Sequence, residues 1–237
     1  MTWLTGKPTS WPTMANEPRE ARHSHALEPE LIRDPQLKAE AEAANGLRQY
    51  DCAVKSVQDA LERPPPIRLR LSLILTFHRE ALQGISAYAG NFRPADVEIR
   101  GSKHQPPGAH LVPGLVEELC DYVNEHWQSE SALHLAAYVM WRLNWIHPFA
   151  DGNGRTSRVL SFFVLSTKVG VVLPGTPTLP ELVIDHRADY ENALDQADAA
   201  WEEKRVDVSA MENLIKALLA KQLTNVYKMA GDKPPKP

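Results

Sequence analysis

The chain is expected to fold as a mainly α-helical domain, on three observations. Apolar residues recur at helical spacing in segment after segment between residues 17 and 223. Only one stretch alternates apolar and charged residues in the manner of a strand. No succession of strand and helix is present, and no internal repeat with a period of about twenty to fifty residues, which argues against Rossmann and P-loop architectures.

Taken in order, "EPREARHSHALE" (17–28) reads as a first helix and "DPQLKAEAEAANGLRQYDCAVKSVQDALE" (34–62) as a second. The second stops at Pro64, Pro65 and Pro66, because prolines in series lack amide donors and clash with the preceding turn. "IRLRLSLILTFHREALQGI" (67–85) resumes with apolar residues on one broad face. The exception follows at residues 90–108, where Val97 and Ile99 alternate with charged neighbours between Gly90, Pro94, Gly101, Pro106 and Pro107. This predicts a short β-hairpin on a helical body. Helices are again expected over 111–127, 130–146, 155–169, 188–204 and 209–223. The ends, 1–18 and "GDKPPKP", read as tails. The expected organisation is a tail (1–18), N-terminal helices (19–66), a core (67–205), and a C-terminal helix with its tail (206–237).

Composition narrows the class. The 237 residues are 43% hydrophobic, enough for a substantial core. There is no long uncharged apolar run and no secretory leader pattern, so a soluble, cytoplasmic protein without a membrane partner is expected. The net charge of −4 is spread over interleaved acids and bases, which offers no basic face for direct nucleic-acid binding. Cys52 and Cys120 sit in apolar-patterned helical segments and read as reduced core thiols. No His-x-x-x-His pair or Cys/His spacing supports a zinc site.

Chemistry concentrates in "HPFADGNGRTSR", His147 to Arg158. The preceding segment is apolar nearly all round, so its helix should be buried, and it must end at His147 because Pro148 disfavours the helical conformation in the residue before it. Gly152, Asn153 and Gly154 can turn successive backbone amides toward one point ahead of a new helix, forming an anion nest at a helix N-terminus. Arg155 and Arg158, three residues apart, lie on one face of that helix and can reach further phosphate oxygens. Asp151 is a hard oxygen ligand suited to a magnesium ion bridging phosphates. A triphosphate fits this loop, and His147, an imidazole at its rim, can take the proton from an incoming hydroxyl.

These residues resemble the signature of the Fic (filamentation induced by cAMP) family, H-P/x-F-x-D/E-G-N-G-R-x-x-R, with every specified position filled. "LHLAAYVMWRLNWIHPF", "YAGNFRPADVEIRGSKHQPP" and "ELVIDHRADYENAL" are similar to the family's leading helix, flap and following helix, so the likeness spans about residues 20 to 200. It implies a Fic-type helical core with a short β-hairpin flap, transferring AMP from ATP to a Ser, Thr or Tyr hydroxyl of a target protein. It further implies His147 as base, Asp151 as Mg2+ ligand, Gly152, Asn153 and Gly154 as phosphate cradle, Arg155 and Arg158 as clamp, and Phe149 as the anchor of the loop. At the flap, Val97, Glu98 and Ile99 would pair through their strand edge with an extended target segment. Upstream, Ser24 and Glu28 resemble the family's inhibitory pattern S/T-x-x-x-E-G/N, with Pro29 in place of the usual Gly or Asn. Helical spacing would aim Glu28 at Arg158, where it competes with the γ phosphate and makes the enzyme autoinhibited.

Other activities remain open at this stage. Related Doc proteins carry a lysine at the position of Gly154 and act as kinases, so Gly154 favours the adenylyl orientation. Other phosphate donors, removal of AMP, and a catalytically silent nucleotide-binding interaction protein are the alternatives. Oligomeric state, a homo-oligomer included, is not specified.

Overall fold

Asp34 opens the first long helix: its carboxylate accepts hydrogen bonds from the Gln36 and Leu37 amides at 2.8 and 3.1 Å. Pro35 takes the first helical position, where a missing amide donor costs nothing. The computed structural model describes residues 31–63, 67–99 and 101–231, together with the backbone of residues 24 and 25. Among these residues the α-helices are α1 (Pro35–Leu61), α2 (Leu71–Leu82), α3 (Val112–Glu125), α4 (Ala132–Ile146), α5 (Asn153–Val169), α6 (Leu179–Asp185), α7 (Arg187–Glu202) and α8 (Ser209–Met229). The only strands among them are β1 (Ser24–His25) and β2 (Glu98–Ile99).

α4 and α5 form the centre and pack most extensively on each other. α1 and α2 cover α5, while α3, α7 and α8 cover α4. This placement follows from composition: α4 runs from Leu135 to Leu143 without an exposed residue, and α5 is buried from Thr156 to Thr167. An all-round apolar helix cannot remain at a surface and is driven to the middle. Trp141, Phe149 and Phe162 are among the large side chains with no solvent contact. Each such burial contributes roughly 1.5–3 kcal/mol. The polypeptide must pass from one central helix to the other through residues 147–152, and that passage is the signature loop.

Two expectations are corrected. Among the described residues of 90–108 the only strand is β2, and its partner is not a neighbouring strand of a hairpin: β2 pairs antiparallel with β1, Ser24 opposite Ile99 and His25 opposite Glu98. Val97 and Ile99 turn inward, 8% and 9% exposed, and Glu98 faces solvent. The alternation thus reports a half-buried strand whose partner is distant in sequence, which local pattern cannot reveal. The expected helix over 17–28 is likewise corrected at Ser24 and His25, which are strand. Ser24 is therefore not on a helix, and Glu28 lies outside the described residues. No helix among the described residues is long and apolar enough to cross a membrane.

Candidate active site

The site is built at the junction of α4 and α5. His147 caps α4 in the left-handed conformation, φ 51° and ψ 57°, with its amide still bonded to the Leu143 carbonyl at 2.9 Å. Pro148 accounts for this break, because a residue before proline is disfavoured in the right-handed helical region. His147 Nδ1–H donates to the Asn144 carbonyl at 3.3 Å, which fixes the tautomer and leaves the lone pair on Nε2. Nε2 is buried and has no hydrogen-bond partner. Burial, helped by the charge of Arg93, pushes the imidazole down to about 4, so the ring is neutral near pH 7.

The loop closes on itself through Asn153. Its side-chain oxygen accepts from the Phe149 amide at 2.9 Å and its nitrogen donates to the Phe149 carbonyl at 2.8 Å. Gly152, at φ 78°, provides the left-handed turn into α5, and a Cβ there would lie 2.9 Å from Leu82 Cδ2. The first amide with an acceptor in the helix is that of Thr156, bonded to the Gly152 carbonyl at 2.9 Å. The amides of Asn153 and Gly154 belong to the open first turn, where donors and the positive end of the helix dipole favour an anion.

Asp151 lies on the loop's rim, its side chain half exposed. Its carboxylate accepts from the Gly152 amide at 2.6 Å and pairs with Arg155 at 3.0 Å. Desolvation works to raise this carboxyl, but Arg155, the Gly152 amide and Lys38 outweigh it and hold the group below its ordinary value. Arg155 also lies 3.7 Å from Glu42 of α1. Arg158 is buried one turn further along α5. An ionised carboxylate beside an open helix start fits the donor set of Mg2+, which takes one or two carboxylates and completes its shell with phosphate oxygens and water.

Two further residues hold the loop and carry no motif signal. His78 of α2 stacks on Phe149, ring centroids 3.7 Å apart and planes within 7°. The Gly90 amide donates to its Nδ1 and its Nε2–H donates to the Asp151 carbonyl, both at 3.0 Å. Burial pushes His78 down to about 4, consistent with this neutral ring. Arg93 is buried, and its Nε donates to the His147 carbonyl at 2.8 Å. In the sequence His78 is one polar residue on an apolar helix and Arg93 one cation before a proline.

Residues 68–165 match the Fic/DOC family. That stretch is a Fic/DOC family domain. The fold agrees: a Fic domain containing signaling protein from Bacteroides thetaiotaomicron superposes with a TM-score of 0.66 at 21% identity, over 86% of this chain and 78% of that one. Fic-1 from C. elegans gives 0.62 at 21% identity, over 85% and 55%. Two curated proteins called protein adenylyltransferase Fic are each 35% identical over 118 residues, 49% of this chain. The chain spans 22% of the Drosophila persimilis protein and 24% of the Drosophila virilis protein. It therefore covers less than a quarter of the length of these relatives.

Within the Fic/DOC domain the structure brings His147, Asp151, Gly152, Asn153, Gly154 and Arg155 to one loop and helix start, with Arg158 one turn on. The side chain of Asn153 is engaged with the Phe149 backbone, so what this residue can offer a phosphate is the backbone amide expected of it. The flap edge, expected to be open, is covered at Ile99 and Glu98 by Ser24 and His25.

Proposed function

We propose that this protein transfers AMP from ATP to a hydroxyl side chain of a target protein. The observation that carries the reading is the buried, unpartnered Nε2 of His147, a lone pair left without a hydrogen bond shortly before α5 begins. The name borne by the curated relatives supports the same activity.

In this reading the amides of Asn153 and Gly154, with Arg155 and Arg158, bind the β and γ phosphates. Asp151 would hold Mg2+, whose charge offsets that of the phosphates. His147 Nε2 takes the proton of the target hydroxyl as its oxygen bonds to the α phosphorus. The bond from that phosphorus to the bridging oxygen breaks, and pyrophosphate leaves toward the cationic turn. An imidazole lowered to about 4 is a weak base by itself, and the negative charge of bound triphosphate raises its basicity. Catalysis is then mainly positioning and charge stabilisation. A target segment takes the place of β1 along β2, using main-chain hydrogen bonds. Restraint by Glu28 acting on Arg158 belongs to the same proposal and is supported by the sequence pattern alone, without Ser24 as a helical partner.

Incubation with Mg2+ and ATP labelled at the α or the γ phosphate, followed by intact-mass measurement, tests this. Incorporation of the α label with the mass of AMP is expected, greater for Glu28→Gly and lost in His147→Ala with ATP binding kept. Incorporation of the γ label would make the protein a kinase. Nucleotide binding with no transfer by either form would leave an interaction protein.

A further inference from the structure

Arg93 buries a full positive charge, 3% exposed, outside the signature motif. Among the described residues the one carboxylate paired with it, Asp96, is 3.6 Å away with a side chain 81% exposed. The guanidinium is spent on backbone carbonyls instead. Nε donates to His147 at 2.8 Å, Nη1 donates to Ala95 at 2.9 Å, and Nη2 donates to Pro107. Its own amide donates to the Pro148 carbonyl at 2.9 Å. One residue thus holds two successive carbonyls of the catalytic loop and, with the other two nitrogens, both ends of the segment that carries β2.

This matters because His147 sits in a strained conformation. A non-glycine residue in the left-handed region costs on the order of 1–2 kcal/mol and persists only where its surroundings enforce it. The Leu143 bond fixes the amide side of His147, and Arg93 fixes the carbonyl side. Together they set the direction of the imidazole. A planar fork with donors on three nitrogens can span three separate carbonyls, whereas a lysine ammonium concentrates its donors on one atom.

We propose that Arg93 is a positioning residue for the transfer reaction, locking the backbone of His147 to the two ends of the flap so that base and docking strand move as one unit. The inference rests on the proposed AMP transfer for its kinetic arm and on geometry alone for its spectroscopic arm. None of these Arg93 hydrogen bonds goes to the first turn of α5, so nucleotide binding should not depend on them.

The test uses the full chain with Arg93→Gln and Arg93→Lys, ATP affinity by calorimetry, the rate of α-label incorporation, and 15N spectra of labelled histidine. Affinity within about twofold of wild type is expected. Transfer should fall roughly ten- to hundredfold in Arg93→Gln, with partial recovery in Arg93→Lys. The His147 nitrogen signals should leave the single Nδ1–H tautomer of the wild type. Wild-type rate and wild-type His147 signals in Arg93→Lys would overturn the proposal, as would loss of ATP affinity in step with rate. If Arg93→Gln fails to fold, Arg93→Lys alone decides. If the wild type transfers no AMP, the proposed function falls, and the 15N spectra still decide the part played by Arg93.

Discussion

Replacing Asn153 by alanine separates two parts that one side chain could play. A side chain that only cradles phosphate would be dispensable for stability without nucleotide. Here it makes two buried hydrogen bonds, to the Phe149 amide at 2.9 Å and carbonyl at 2.8 Å. Phe149 has no solvent contact, so truncation strands a donor and an acceptor away from water. Each stranded group costs about 1–3 kcal/mol. A total near 3 kcal/mol is a conservative expectation, since the loop can relax partly. For a chain of this size 1 kcal/mol shifts the melting temperature by roughly 2–4 °C, so a drop of about 6–12 °C is expected. Thermal unfolding of nucleotide-free Asn153→Ala against wild type measures it. A melting temperature unchanged within error, together with lost ATP binding, would refute the loop-closing reading and return the side chain to the phosphates.

Other outcomes follow from the same geometry. Gly152→Ala puts a Cβ in the left-handed region and 2.9 Å from Leu82 Cδ2, so chemical denaturation should show a loss of about 2–5 kcal/mol from strain and overpacking together. Phe149→Ala removes a fully buried ring and its stack on His78, and should cost about 3–5 kcal/mol in the same assay. Stability should also depend on His147 in acid. Its folded-state value of about 4 lies below the unfolded 6.5, so the unfolded chain takes up the proton first as acid is added. The contribution is whole above pH 6.5 and is lost as pH falls toward 4, on the order of 3 kcal/mol across that window. Urea midpoints at several pH values should therefore fall less steeply for His147→Ala than for wild type, and parallel slopes would contradict the burial of the ring.

Much of the site was legible because it is contiguous. His147, Asp151, Gly152, Gly154 and the two arginines occupy one loop and helix start, and residues before a proline, at a left-handed turn or three apart on a helix have local geometries that local chemistry dictates. Asn153 was legible as a source of a loop amide, but the use of its side chain as a brace was not, since a short amide between glycines reads equally well as a ligand or as a brace. His78 and Arg93 were not legible, because their importance lies in carbonyls 73 and 54 residues away along the chain. The strand at Glu98–Ile99 was visible in its alternation, yet its partner was not, because a strand of two residues specifies no register and no partner by pattern.

By itself the sequence determined that this chain is helical, where its central helices break, and that a glycine-flanked turn with an imidazole close by in sequence lies at the break. These are consequences of hydrophobic period and backbone sterics, which act within a few residues. Only the tertiary structure decided which imidazole nitrogen carries the lone pair, that Asn153 closes the loop, and that Arg93 and His78 bind the loop to the flap. Those depend on which distant groups are brought together and which are left without a partner when water is excluded, and that is settled only when the helices pack.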